Sequence, residues 1–160
     1  AALGRIRPDV DTSQLEILGK LSQGAPGQAV QLADSGAADL YQLACSLLQS
    51  SSLDQPALAN LCAKWGRGTV AGREIRAGAV FCIDRLLRHA ALWASRIKSD
   101  DLCDFEIPVI ERLASGYSAD QLAQFHDEFV TNAAKAESLY LDFPRFLERH
   151  LTKIYEKSLP

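Results

Sequence analysis

Residues 69–98 read TVAGREIRAGAVFCIDRLLRHAALWASRIK, and the spacing of their apolar side chains decides the fold class. Ile75, Ala79, Cys82, Leu86, Ala90, Trp93 and Ile97 follow one another at steps of three or four. An α-helix turns once in 3.6 residues, so these positions stack into one seam. A seam of this length suits the central helix of a bundle, running from Thr69 to about Lys98. Asp100, Asp101 and Asp104 then break the pattern.

The same period recurs on both sides. Upstream, Leu15, Leu18 and Leu21 predict a helix over 11–21 that stops at Gly24, and Pro26 opens a second that ends near Gly36. Leu40, Leu43, Ala44, Leu47 and Leu48 stripe a helix over 38–49. Asp54 caps the next, which buries Leu58, Leu61, Cys62 and Trp65. Downstream, a short helix is expected over 108–114 and a longer one, capped by Ser118, from Ala119 to about Tyr140. Asp142 and Pro144 start the last, with Phe146, Leu147, His150, Leu151 and Ile154 on one face. No period-2 alternation with turn punctuation occurs, and no repeat of solenoid length. The expected fold is all-α: a short helical pair followed by a helical bundle.

Composition fits a globular chain. Of 160 residues, 48% are hydrophobic and 23% charged, far from the signature of disorder. The net charge is −3, from 17 basic and 20 acidic residues, and no dense Lys/Arg face stands out. Affinity for nucleic acid comes largely from phosphate neutralisation, so no direct DNA or RNA binding is expected from this segment. Nothing approaches the roughly 18 apolar residues of a membrane span, and the start does not resemble a signal peptide. Methionine is absent, even at position 1, which suggests a piece cut from the C-terminal part of a longer protein.

Candidate chemistry is sparse. Cys45, Cys62, Cys82 and Cys103 form no close pair of the kind that brings zinc ligands together. They read as free thiols acting as small core hydrophobes in a reducing compartment, hence a cytoplasmic location. No metal or cofactor is expected. His89, His126 and His150 form no motif that places two ligands on one helix face. The stretch from Gly66 to Gly72 has the look of a phosphate loop. A helix rather than a strand enters it, however, and its glycine spacing is wrong, so a flexible helix–helix connection is expected. Arg67, Arg73 and Arg76 either meet an acidic neighbour there or form a solvated face. Trp65, Trp93, Phe105, Phe125 and Tyr140 are the aromatic candidates for a buried interface. Each also fits the intradomain core.

The stretch from Leu21 to Leu32, LSQGAPGQAVQL, carries the most specific pattern. It resembles the helix–Gly-Ser-Pro-Gly-x-Ala-Leu–helix junction of bacterial clamp-loader proteins, in particular the delta-prime subunits of the DNA polymerase III clamp loader. Gly24, Pro26, Gly27 and Ala29 match, while Ala25 replaces the usual Ser and Val30 the usual Leu. Leu139-Tyr140-Leu141-Asp142 is similar to the Leu-Asn-Leu-Asp-like turn before the family's final helix, with Tyr140 in place of the common Asn. Related ATP-binding subunits carry a nucleotide-sensing arginine at the start of the second junction helix, where this chain has Gly27.

The resemblance implies that residues 1–35 are the tail of an AAA+ lid domain and 38–160 a helical collar domain. It implies a non-catalytic scaffold that packs against other clamp-loader subunits and acts indirectly on a sliding clamp and primed DNA. The parent complex would be a DNA-directed DNA polymerase, a nucleotidyltransferase, although this chain would not be an enzyme. The collar of an ATP-binding subunit, a standalone helical adaptor and a Cys/His enzyme are the rival readings.

Overall fold

The computed structural model describes residues 8–159, and every regular element among them is helical. In chain order these are α1 (Thr12–Leu21), α2 (Pro26–Asp34), α3 (Ala37–Gln49), α4 (Gln55–Trp65), a 3-10 turn (Val70–Gly72), α5 (Arg73–Ala94), α6 (Ile107–Gly116), α7 (Ala119–Ser138) and α8 (Phe143–Ser158). The all-α bundle is as the seam in α5 predicts. No helix of the described residues is long and apolar enough to cross a membrane.

Local chemistry sets most of the starts. The side chains of Asp11, Asp54, Ser118 and Asp142 accept from the backbone N–H of Gln14, Ala57, Gln121 and Arg145. Each such cap satisfies an otherwise orphaned donor and stabilises its helix by about 1 kcal/mol. Ser118 and Gln121 complete a reciprocal capping box. Proline occupies the first turn of α2, α4, α6 and α8, where its missing N–H has no helical acceptor.

The central helix is shorter at both ends than its seam suggests. At the start, the Arg76 Nη1 donates to the Arg67 and Thr69 carbonyls, folding residues 67–72 back over the first turn. At the end, Ile97 N–H donates to the Leu92 carbonyl and Arg96 N–H to that of Trp93, with Arg96 at φ 63°. This is a Schellman stop, in which one residue turns left-handed to close the helix. Ile97 thereby leaves the seam and is 55% exposed. The same device ends α1 at Gln23 (φ 50°) and α7 at Tyr140 (φ 52°).

α5 packs against α2, α3, α4, α6 and α7, while α8 lies against α3, α4, α6 and α7. Leu18, Leu21, Ala29 and Leu32 of α1 and α2 belong to the same apolar cluster as Trp65, Leu86, Phe129 and Leu147. Full burial of a large aliphatic or aromatic side chain contributes roughly 1.5–3 kcal/mol, so this cluster is the main stabilising element.

One charged group crosses that core. Arg85 and Glu106 are both fully buried. Arg85 Nε donates to Glu106 Oε1 at 2.8 Å and Nη2 to Oε2 at 3.2 Å. Tyr41 Oη donates to Oε1 at 2.7 Å, and the Cys103 N–H to Oε2 at 2.7 Å. The remaining guanidinium donors reach the Asp101 carbonyl (2.6 Å), Asp101 Oδ2 (3.2 Å) and the Lys20 carbonyl (3.4 Å). The network fastens α1, α3 and the 95–106 connection onto α5. Asp101, expected only to break a helix, is one of its members. Burial raises the Asp101 pKa, but hydrogen bonds from Ser99, Gln23 and Arg85 outweigh it and hold the carboxyl well below the ordinary range.

Candidate interaction surface

The arginines after α4 separate into two kinds. Arg76 is buried, and its Nε and Nη2 grip Glu137 of α7 at 2.7 and 2.6 Å. The hydrogen bond and charge of Glu137 raise the Arg76 pKa, and those of Arg76 lower that of Glu137. Arg76 is therefore a clamp between α5, the connection and α7 rather than part of a solvated face. Arg67 and Arg73 remain exposed. The connection is close-packed at its two ends, where a Cβ on Gly66 would stand 2.8 Å from the Pro144 backbone nitrogen and one on Gly72 closer still to the Arg67 carbonyl oxygen, while Gly68 between them is exposed with nothing within 4 Å. α4 enters this connection, so no strand aims its backbone at an anion.

The aromatic candidates also divide. Trp65 is fully buried, its ring tilted against that of Tyr41 at 6.5 Å, which removes it from any surface. Phe125 is buried, Phe105 is half-buried against Tyr41, and Trp93 is half-buried beneath Lys98 Nζ at 4.3 Å. Tyr140 alone among them is open, 95% exposed, between Leu139 at 65% and Leu141 at 56%. Its left-handed backbone disfavours a side chain with a Cβ, and positions of this kind usually hold Gly or Asn.

Beside this loop, α5 and α7 enclose a surface groove of about 380 Å³. Ala77, Val80, Val130, Ala133 and Ala134 supply its apolar lining, of which Ala133 is buried. The Arg76–Glu137 pair and Arg73 stand at one end. Beyond the other end, His126 of α7 places Nε2 on Asp84 of α5 and Nδ1 on Asp127 at 3.1 Å. The groove's walls come from residues about 60 positions apart in sequence, and no pattern in the sequence marks it.

The junction residues lie away from this groove's lining. Gly24 is left-handed at φ 80°, and Pro26 and Gly27 open α2 on the surface. A Cβ on Gly27 would meet nothing within 4 Å. The junction thus has room for a larger residue at position 27, and glycine there is no steric necessity.

The thiols are interior. All four cysteines are free and buried. Burial pushes Cys62 and Cys103 up to about 12, and raises Cys45 and Cys82 as well. No group of three or more His, Cys, Asp or Glu among the described residues is placed to hold a metal ion. Compared with protein-family models, with curated proteins and with solved structures, the chain matches none.

Proposed function

We propose that this chain is a non-catalytic scaffold of the clamp-loader delta-prime type, a lid tail (1–35) followed by a collar domain (38–160). In this reading it works in the cytoplasm, packing against other loader subunits and supporting the loading of a sliding clamp onto primed DNA. The observation that carries the reading is the α1–α2 junction. Gly24 takes the left-handed turn, Pro26 starts the second helix, and the sensor position holds Gly27, exposed and without a cation. Two features support it. Residue 140, where the family commonly has Asn, is left-handed, a conformation that Asn tolerates well. The apolar loop of Leu139, Tyr140 and Leu141 is turned outward, as a packing surface requires.

The test is reconstitution. The chain, mixed with purified ATP-binding loader subunits, should co-elute with them on size exclusion, and Gly27→Arg should leave that association intact. No association, or no nucleotide-fold domain encoded upstream of Ala1, would overturn the assignment. The exposed loop also favours a standalone helical adaptor, which would show neither feature.

A further inference from the structure

We infer that α2 is a hinged strap: it opens away from α5 as a unit, pivoting on Gly24 and Gly36, while α1 and α3 stay in place. Opening bares Leu32 and Phe81, and closing covers them again. The inference does not rest on the clamp-loader reading, because it concerns motion within one chain and is measured without any partner.

The helices on either side of α2 are fastened by side chains across the molecule. Gln14 of α1 donates to Asp39 of α3 at 2.8 Å, Gln23 to Asp101 at 3.0 Å, and Arg85 of α5 to the Lys20 carbonyl at 3.4 Å. α3 is held by Tyr41 on Glu106 at 2.7 Å and by Gln49 on the Phe105 carbonyl at 2.8 Å. In α2, Gln28 and Gln31 make no hydrogen bond among the described residues, and no side chain caps the start of the helix. Asp34 is engaged, but it is the last residue, beside the Gly36 pivot, where a tie does not hinder the swing. Of its nine residues α2 buries only Ala29 and Leu32, so one large side chain anchors it. A helix this short has little stability of its own and keeps its place by packing.

That packing is incomplete. Between α2 and α5 lies a gap of about 210 Å³, with Gln28, Gln31 and Leu32 on one side and Ala77, Gly78 and Phe81 on the other. Protein interiors are close-packed, so side chains that line a gap lose attractive contacts. Both pivots suit a swing. Gly24 is left-handed at φ 80° and Gly36 at φ 65°, and a Cβ on either would meet nothing within 4 Å. Glycine changes φ at little steric cost, and the open space lets the backbone turn. Beyond Gly36 the chain is seated: Ala37 is fully buried, and a Cβ on Gly78 would stand 3.0 Å from that of Ala37. Before Gly24, Leu21 and Ser22 are buried. The moving part therefore ends at the two glycines, and the segment between them is a low-stability unit set into a firmer frame.

Hydrogen exchange of the whole native chain, read amide by amide, tests the strap. After correction for local sequence, the amides from Ala29 to Ala33 should exchange faster than those from Ala44 to Leu48 of α3 by about 30-fold or more. Low urea should leave the α2 rates nearly unchanged and raise those of α3, because a local opening uncovers little surface. Gln31→Cys joined to Glu74→Cys places one new thiol on each side of the gap, and the native cysteines are buried. Linking the new pair with a short dithiol-reactive reagent should slow α2 toward the rates of α3, while the unlinked double variant exchanges like the parent. Exchange in α2 as slow as in α3 would overturn the inference. So would α2 rates that rise with urea as steeply as those of α3, or a linked chain whose α2 still exchanges at the parent's rate, which is fraying in place rather than a swing.

Discussion

Glu106→Gln removes one negative charge from the core with almost no change in volume. The carboxylate accepts four hydrogen bonds: from Tyr41 Oη and Arg85 Nε on Oε1, and from Arg85 Nη2 and the Cys103 N–H on Oε2. An amide keeps one acceptor oxygen and turns the other position into a donor, which then faces two donors. Arg85, fully buried, loses its closest counter-charge and retains only Asp101 and the Lys20 carbonyl. Breaking a buried pair from one side costs about 3–5 kcal/mol, a large share of the roughly 5–15 kcal/mol that holds an ordinary domain folded. With a urea slope near 2 kcal/mol/M, the unfolding midpoint should fall by about 2 M. Fluorescence of Trp65, fully buried in the parent, and helical circular dichroism report the same transition.

Arg85→Met should cost as much as Glu106→Gln. Joining Arg85→Met to Glu106→Leu should cost far less than the sum, because no charge is then stranded. The Tyr41 hydroxyl and the Cys103 N–H would still lose their acceptor, at about 1–3 kcal/mol each, so recovery stays partial. Single variants that each lose under about 1 kcal/mol, or strictly additive losses in the double variant, would refute the idea that this pair fastens the bundle.

Gly24→Ala puts a Cβ on a residue at φ 80° and should lower stability by about 1 kcal/mol, whereas Gly27→Arg, with open space at its Cβ, should change the melting temperature little. Stability should fall on acidification in two stages, read from melting temperature against pH. Burial, aided for His89 by the Arg85 charge, holds His89 and His150 below the ordinary 6.5. Their contribution is complete above that value and is lost as pH falls through it, since the unfolded chain protonates first. Asp101, depressed below the ordinary 3.8, loses its contribution only further down. A thiol reagent at neutral pH should leave Cys45, Cys62, Cys82 and Cys103 unmodified in the native chain and modify all four in denaturant; a fast native reaction at any one would expose an activated thiolate.

Helices are legible in this sequence because their signals are local. The seam from Ile75 to Trp93, the caps at Asp54 and Ser118 and the prolines in first turns each act within a turn or two of backbone, so element order and most starts follow from the residues alone. The left-handed stop at Arg96 carries no glycine to announce it, so the apolar seam runs on past the point where the helix ends. The candidate site was less legible. Nothing in the sequence separates the exposed Arg73 and Tyr140 from Arg76, which is clamped, or Trp65, which is buried.

What the sequence determined by itself was therefore the helical class, the order of elements and the residues at the junction. Tertiary structure alone decided which polar groups meet: Glu106 with Arg85, 21 residues away, and Glu137 with Arg76, 61 away. It also decided that the α5–α7 groove lies beside an exposed tyrosine. The physical reason is one of range. Helical periodicity is a property of neighbours along the chain, whereas the partner of a buried charge and the shape of a groove depend on where distant helices cross.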